Sequence, residues 1–363
     1  MSFQTRYMRR AMELAESARG KTLPNPNVGA VVVLDGKIVG EGLTQPCGGN
    51  HAEVQALLKA GKLSRNAELY VTLEPCSHWG RTPPCTDAII WAGISTVYAG
   101  IPDPNPEVDS QAILKEAGIG FQIGFLSEEI SRQLETYLIY MSRKSPFDML
   151  KTAMSLDGCI ATKDGESCWI TGEESRGRVH ELRTEYDAIL TGIGTVLSDN
   201  PRLNVRLDGT FRQPVRVILD PDLLIPLDCN IARSAANQRT IVFCGKDTSG
   251  RWQLYSEVGI EIVPLTLIDE KFVLNEVLKM LHQREIGSVM LETGARLTAA
   301  FVEAELVDKY ELFIAPRIIG NGLKAFGAVH TAQLVDALQL QITQQQTRGF
   351  DWHITAYPVR SKK

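Results

Sequence analysis

Apolar residues along the first part of the chain switch repeatedly between helical and strand spacing, the pattern of an α/β domain. Tyr7, Met8, Ala11, Leu14, Ala15 and Ala18 recur at three- and four-residue steps and predict an amphipathic helix closed by Gly20. Val28 to Leu34 and Lys37 to Gly42 flank Asp35-Gly36 and predict a hairpin. Ala52 to Ala60, with Val54, Leu57 and Leu58 facing inward and Gly61 behind them, predicts a helix that opens at His51. A strand from Ala67 to Leu73 and a helix from Thr86 to Ala92 follow. Strands from Thr96 to Ile101 and Phe121 to Phe125 enclose a helix from Gln111 to Ala117, and one long helix runs from Leu126 to Met141. Ser142-Arg143-Lys144-Ser145-Pro146 breaks the pattern, so the domains are placed at residues 1–145 and 146–363.

Beyond the break, Phe147 to Ser155 predicts a strand entering a turn at Leu156-Asp157-Gly158. Val215 to Leu219, Thr240 to Cys244, Ile260 to Pro264 and Lys309 to Ala315 predict more strands, and Asn275 to Gln283 a helix. Ser288 to Glu292 is a short apolar strand, Thr293-Gly294 a turn and Arg296 to Glu305 a helix, an arrangement in which a phosphate can meet a helix N-terminus. The Thr343 to Val359 tail alternates in part and fits either the completion of the sheet or an oligomer contact; Trp352 within it reads as core.

Composition narrows the class. With 363 residues the chain is long enough for two domains, each with its own core, and a mean hydropathy of -0.07 describes a globular protein. A net charge of -5 and a pI near 5.8 oppose the broad basic face that nucleic acid requires, while leaving room for a small basic pocket for a phosphate. Seven cysteines without a regular framework fit a reducing compartment, so the cytoplasm is expected. The N-terminal segment carries Arg6, Arg9 and Arg10 but no signal-length apolar core. No apolar run approaches the roughly 20 residues of a membrane span.

The chemistry concentrates in two stretches, His51-Ala52-Glu53 and Pro75-Cys76-Ser77-His78-Trp79-Gly80-Arg81-Thr82-Pro83-Pro84-Cys85. One imidazole and two thiolates make a three-ligand zinc set, and a tetrahedral ion so held keeps a position for water. Cys76 emerges at the C-terminal edge of a strand and Cys85 opens a helix, where the thiolate is favoured. Glu53, two residues from His51, is the proton carrier in this reading; by itself a His-x-Glu pair is more readily a surface pair, and the cysteines shift that balance. On residues alone His78 competes with His51 as the third ligand, and Cys47 is an ordinary thiol. Arg81, a cation beside the ligand loop, is a candidate for a substrate phosphate, against a solvated turn arginine. Asn25, in Pro24-Asn25-Pro26-Asn27, is either a substrate contact or a turn former.

These elements resemble the zinc-dependent cytidine-deaminase fold, with its His-x-Glu and Pro-Cys motifs, but eight residues separate Cys76 from Cys85 in place of the usual two. With that longer loop and Pro24-Asn25-Pro26-Asn27-Val28-Gly29, the chain is similar to the deaminase domain of the bifunctional riboflavin biosynthesis deaminase/reductase family. The resemblance implies His51, Cys76 and Cys85 as zinc ligands and Glu53 as the catalytic acid/base. Lys151-Thr152-Ala153-Met154-Ser155-Leu156-Asp157-Gly158, Gly165 to Gly172 and Gly192 to Leu203 resemble the reductase domain of the same family. The implied fold class is α/β, an N-terminal cytidine-deaminase-like α/β/α domain followed by a dihydrofolate-reductase-like α/β domain.

No Gly-x-Gly-x-x-Gly follows a strand, so an ordinary Rossmann site is not indicated. The resemblance instead implies NADPH contacts at Ala153, Trp169, Thr195, Asp199, Gly294, Ala295, Arg296 and Leu297. It implies substrate contacts at Ser167, Arg183, Leu203, Arg206 and Glu292, with Arg183 and Arg206 suited to a ribose phosphate by their fork-shaped donors. Lys151 joins Glu292 as a polar candidate beside the sugar. Thr293 stands where the family commonly has glycine or alanine, and Pro221 where a serine is frequent. The implied function is deamination of a diaminopyrimidinone bearing a phosphoribosylamino group, then NADPH-dependent reduction of the ribosyl chain to ribityl. The expected assembly is a homo-oligomer. The rival readings are a deaminase with an inactive reductase domain and a zinc-stabilised nucleic-acid-binding module.

Overall fold

The structure is a computed structural model that describes residues 3–22, 24–246 and 250–360; Met1 and Ser2, at the head of the expected N-terminal helix, lie outside the described residues. Contacts gather into two units, Met1–Lys144 and Ser145–Lys363.

In the first unit, helix α1 (Phe3–Ser17) precedes the hairpin β1 (Gly29–Leu34) and β2 (Lys37–Leu43). The hairpin turns through Asp35 and Gly36, both at positive φ (47° and 74°), the conformation an Asp-Gly pair favours. Helix α2 (Ala52–Ala60), strand β3 (Glu68–Leu73), helix α3 (Cys85–Ala92) and strand β4 (Thr96–Ile101) follow. Helix α4 (Ser110–Glu116), strand β5 (Gly120–Ile123) and helices α5 (Ser127–Gln133) and α6 (Glu135–Arg143) complete the unit. The sheet order is β2-β1-β3-β4-β5, with β1 antiparallel to both neighbours and β3, β4 and β5 parallel. β1 and β3 are buried on nearly every residue, as strands covered on both faces must be.

Glycines set how closely α2 approaches the sheet. A Cβ on Gly42 would stand 2.0 Å from the Ala52 carbonyl oxygen, and one on Gly40 2.2 Å from that of Ala56. The backbone of α2 therefore lies directly on β2, which seats the helix start that carries the candidate site. The single helix expected over Leu126 to Met141 is two, because Leu134 leaves helical geometry (φ -103°, ψ 14°) while burying its side chain completely.

The second unit begins with β6 (Phe147–Ser155), β7 (Cys159–Ala161), α7 (Glu173–Glu185), β8 (Ala188–Gly192) and α8 (Ile193–Asp199). It continues through β9 (Val215–Leu219), α9 (Asn230–Arg233), β10 (Thr240–Cys244), α10 (Trp252–Glu257), β11 (Ile260–Pro264), β12 (Leu267–Ile268) and β13 (Lys271–Phe272). Then come α11 (Leu274–His282), β14 (Ser288–Leu291), α12 (Ala295–Glu303), β15 (Lys309–Ala315), β16 (Leu323–Lys324), β17 (Leu340–Arg348) and β18 (Asp351–Pro358). Nine strands form one sheet in the order β11-β10-β9-β8-β14-β6-β15-β18-β17. All neighbours are parallel up to β15, and the last two strands are antiparallel.

The C-terminal tail thus completes the sheet as a hairpin, with β17 its edge. Trp352 does not join the core: its strand buries Asp351, His353 and Thr355 and turns Trp352 outward, 46% exposed. Each of these three polar side chains is bonded. Asp351 accepts from the Gly172 amide and the Ser175 hydroxyl at the start of α7, and Glu311 receives Thr355 (2.8 Å) and meets His353 (2.6 Å). Paired groups of this kind are cheap to bury, so the strand faces opposite to its hydrophobic pattern.

Candidate active site

In the first unit three ligand types converge from three elements. His51 is the residue before α2, Cys76 follows the end of β3, and Cys85 opens α3. Their ligand atoms lie within 4.8 Å of one another, the cluster of this kind among the described residues, and His78 is not part of it. His51 Nδ1 is 3.5 Å from Cys76 Sγ and 3.3 Å from Cys85 Sγ. Zinc with ordinary bonds of about 2.05 Å to nitrogen and 2.3 Å to sulfur sets those atoms about 3.5 Å apart at the tetrahedral angle. The donor set therefore fits zinc in both chemistry and spacing.

Local structure favours this arrangement. The Cys85 amide, at the start of α3, donates to Cys76 Sγ at 3.3 Å, and the Thr86 amide donates to the Cys76 carbonyl. The bond with Cys85 and that with His51 draw the Cys76 thiol well down, and the bond with Cys76, with burial, pushes Cys85 up. The His51 imidazole is raised by the same bond to Cys76. On the far side of the ring, Thr82 Oγ1 lies 3.3 Å from Nε2. Once Nδ1 faces the thiols, Nε2 carries the proton and the hydroxyl accepts it, the outer partner that fixes a ligating imidazole.

Glu53 sits in the first turn of α2, 4% exposed, and burial followed by the Cys76 charge raises its carboxyl to about 7. Arg81 is exposed, and its Nη1 donates to Cys47 Sγ at 2.6 Å, so the thiol read as ordinary is a neighbour of the phosphate candidate. Asn25 is held by Thr22 at both main-chain groups, each at 2.9 Å, the bonds of a turn.

The second unit gathers another set. Glu292, just past β14, receives Nε and Nη2 of Arg183 at 2.7 and 3.0 Å and has Lys151 Nζ at 3.6 Å. Burial would raise this carboxyl, but the Arg183 and Lys151 charges outweigh it and hold it down at about 2. Burial lowers Lys151 in turn, against the pull of Glu292. Arg183 Nη1 also donates to the Asn204 carbonyl at 2.9 Å, which ties α7 to the loop carrying Arg206. Arg206 is exposed, with Nη1 on Asn204 Oδ1 at 2.7 Å. The Leu203 side chain is 3% exposed, so a ligand contact there falls to its main chain.

The residues expected at the cofactor divide. Gly294 and Thr195 adjoin, since a Cβ on Gly294 would lie 3.7 Å from Thr195 Oγ1, and one on Gly192 would meet Leu297 at 3.3 Å. The starts of α8 and α12 thus lie side by side past the ends of neighbouring strands β8 and β14. The amides of Ala295, Arg296 and Leu297 belong to the first turn of α12, where helix geometry leaves donors for a phosphate. That fits a dinucleotide. Asp199 lies at the far end of α8, about 9 Å along its axis. Trp169 is 62% exposed with the Arg176 guanidinium 4.7 Å over its ring, Ser167 is two residues before it, and Ala153 lies on β6 opposite Phe313. Thr293 uses its extra hydroxyl on Thr298 (2.8 Å), and Pro221 serves through its carbonyl, accepting the Gly245 amide at 2.9 Å.

Residues 146–354 match the profile of the RibD C-terminal domain, and residues 1–101 that of the cytidine and deoxycytidylate deaminase zinc-binding region. The riboflavin biosynthesis protein RibD of Aquifex aeolicus is 42% identical, with 95% of this chain and 96% of that protein aligned. The chain belongs to the RibD family. The RibD protein of Escherichia coli is 39% identical over 95% of this chain and 96% of its own length. Among solved structures, Acinetobacter baumannii RibD superposes with a TM-score of 0.91 at 34% identity, covering 99% of both chains. The deaminase/reductase of Thermotoga maritima gives 0.88 at 37% identity, covering 98% of this chain and 99% of that one. The RibD fold, a deaminase-type sheet followed by a reductase-type sheet, is thus the one seen here.

Two residues of these sites carry no signal in the sequence reading. Thr82 lies within the ligand loop, but only the folded loop brings it to His51. His180 accepts the Arg206 amide at 3.3 Å from α7, a helix that periodicity misses because Gly177 interrupts it and Val179 and Leu182 are its only large apolar residues.

Proposed function

We propose that His51, Cys76 and Cys85 hold zinc, that Glu53 is the catalytic acid and base of the first unit, and that residues 1–145 and 146–363 divide the two activities. The chain is a RibD-type bifunctional enzyme of riboflavin biosynthesis, a deaminase and a reductase acting in turn on a phosphorylated pyrimidine. The observation that carries the residue assignment is the His51-Cys76-Cys85 cluster at tetrahedral spacing, with Glu53 buried in the same helix start. Zinc supplies an activated water and NADPH supplies a hydride.

In deamination the water oxygen bonds to the amine-bearing ring carbon, the carbon–nitrogen bond breaks and ammonia leaves. Glu53 takes the proton from water and returns it to the departing nitrogen. Arg81, and Asn25 beside it in function, bind the substrate, Arg81 at the phosphate. In reduction a carbon–hydrogen bond forms at the ribosyl carbon while its bond to the ring oxygen breaks, and a proton goes to that oxygen. Lys151 and Glu292 stand beside the sugar, Arg183 and Arg206 with Ser167 and the Leu203 main chain serve the rest of the substrate, and the phosphate meets Arg206. Ala153, Trp169, Thr195, Asp199 and Gly294 to Leu297 receive NADPH.

No helix among the described residues is long and apolar enough to cross a membrane. A cytoplasmic location and a homo-oligomeric assembly belong to the same proposal, and sedimentation of the full chain tests the assembly. The decisive experiment for the deaminase is Glu53→Gln. Ammonia release is lost, while bound zinc and NADPH oxidation on the deaminated intermediate are retained. Loss of all three would show that Glu53 holds the fold instead.

A further inference from the structure

The segment carrying Arg206 is pinned residue by residue. Gln238 Nε2 donates to the Leu203 carbonyl at 3.0 Å, and Arg183 Nη1 to the Asn204 carbonyl at 2.9 Å. Val205 donates its amide to Gln213 Oε1 at 2.8 Å and accepts Gln213 Nε2 at 3.3 Å. Leu203 is held at a positive φ of 48°, which an unanchored leucine avoids. The last pin is His180, on α7 one turn before Arg183. Its Nδ1 accepts the Arg206 amide at 3.3 Å and has Arg183 Nη1 at 3.5 Å.

A main-chain amide only donates, so Nδ1 must carry the lone pair and the imidazole proton must sit on Nε2. Burial, then the charges of Arg183 and Arg206, lower the imidazole to about 4, so the ring is neutral at pH 7 and the acceptor is always available. A neutral ring also adds no third charge beside two guanidinium groups. The structure therefore separates two tasks: Arg206 offers an exposed cation, and His180 fixes the main chain from which that cation projects.

We propose that His180 is a positioning residue of the reductase, holding Arg206 for the substrate phosphate through Nδ1. This rests on the reading of Arg206 as the phosphate cation. A phosphate remote from the reacting carbon is bound alike in the ground and transition states, so a displaced Arg206 raises KM and leaves kcat.

Three variants of the full chain separate the roles. Asn places its side-chain oxygen the same number of bonds from Cα as His Nδ1, Gln places its own one bond further, near Nε2, and Leu has neither. The readouts are hydrogen exchange of the Arg206 amide without substrate, and steady-state NADPH oxidation with the deaminated intermediate. In His180→Leu the amide exchanges about tenfold faster and KM for the intermediate rises about tenfold, the effect of one lost hydrogen bond. There kcat and the KM for NADPH stay within about twofold. His180→Asn restores both readouts and His180→Gln neither. An unmoved KM in His180→Leu, or rescue by Gln as complete as by Asn, overturns the positioning role. A parent enzyme that oxidises no NADPH with the intermediate overturns the reading of the site and this role with it, whatever the exchange data.

Discussion

Glu292→Gln removes the carboxylate that meets both Arg183 and Lys151 while keeping its shape. A carboxyl held at about 2 in place of its ordinary 4.5 favours the native state at neutral pH by about 3 kcal/mol, at about 1.4 kcal/mol for each tenfold. That agrees with the 3–5 kcal/mol typical of leaving a buried charge without its partner, and these side chains are only 10–16% exposed. Lys151, which burial already lowers, relieves part of this cost in the variant and leaves a loss of about 2–3 kcal/mol. At about 2–4 °C per kcal/mol for a unit of this size, the transition of the reductase unit falls by about 4–12 °C. The pH dependence is the sharper test. The folded value is the depressed one, so the stabilisation is complete above the unfolded value of 4.5 and fades as pH falls through about 2. At pH 3 about 1.4 kcal/mol of it remains in the parent, and the gap between parent and variant narrows by about half. Calorimetry at pH 7 and pH 3, following the transition that NADPH raises, reads both. A gap under about 1 kcal/mol at pH 7, or one that stays constant down to pH 3, would refute the assignment of Glu292 as the charge partner of Arg183 and Lys151.

Thr82→Val deletes the acceptor at His51 Nε2 with little change of shape, and zinc affinity measured against a competing chelator falls about 10–100-fold, with Thr82→Ser restoring it; equal affinity in Val and parent would remove Thr82 from the metal's outer shell. Gly42→Ala drives a methyl to 2.0 Å from the Ala52 carbonyl and lifts the start of α2. It costs about 1–3 kcal/mol of stability and lowers both zinc content and ammonia release, while NADPH oxidation on the deaminated intermediate persists; full zinc content would show that α2 accommodates the methyl.

Much of the fold was legible because it follows from local periods. The Asp35-Gly36 hairpin, the buried β3 and the helix start behind His51 each rest on a spacing and a turn residue that tertiary context did not override. Where the local signal is ambiguous, tertiary contacts decide the outcome. Leu134 is apolar and in phase with the helix around it, yet the chain turns there, at the junction of α5 and α6, and buries it in the core of the first unit. α7 escapes the apolar period because its buried residues include Ser175 and Arg183, whose partners come from β18 and from beyond β14. Trp352 reads as core from the sequence because nothing in a sequence shows that His353 and Thr355 will find Glu311.

By itself, then, the sequence determined the ligand types of the proposed zinc set, the carboxylate proposed beside them, the break between two α/β units and, through motif resemblance, the family. These are properties of residue identity and spacing along one chain. Only the tertiary structure decided that Nδ1 of His51 meets both thiols, that Thr82 closes on the other nitrogen, and that Arg183 is bound to Glu292 while His180 holds Arg206 from behind. Such assignments join residues far apart in sequence, and hydrogen-bond geometry and burial, not spacing, select which of many polar groups become partners.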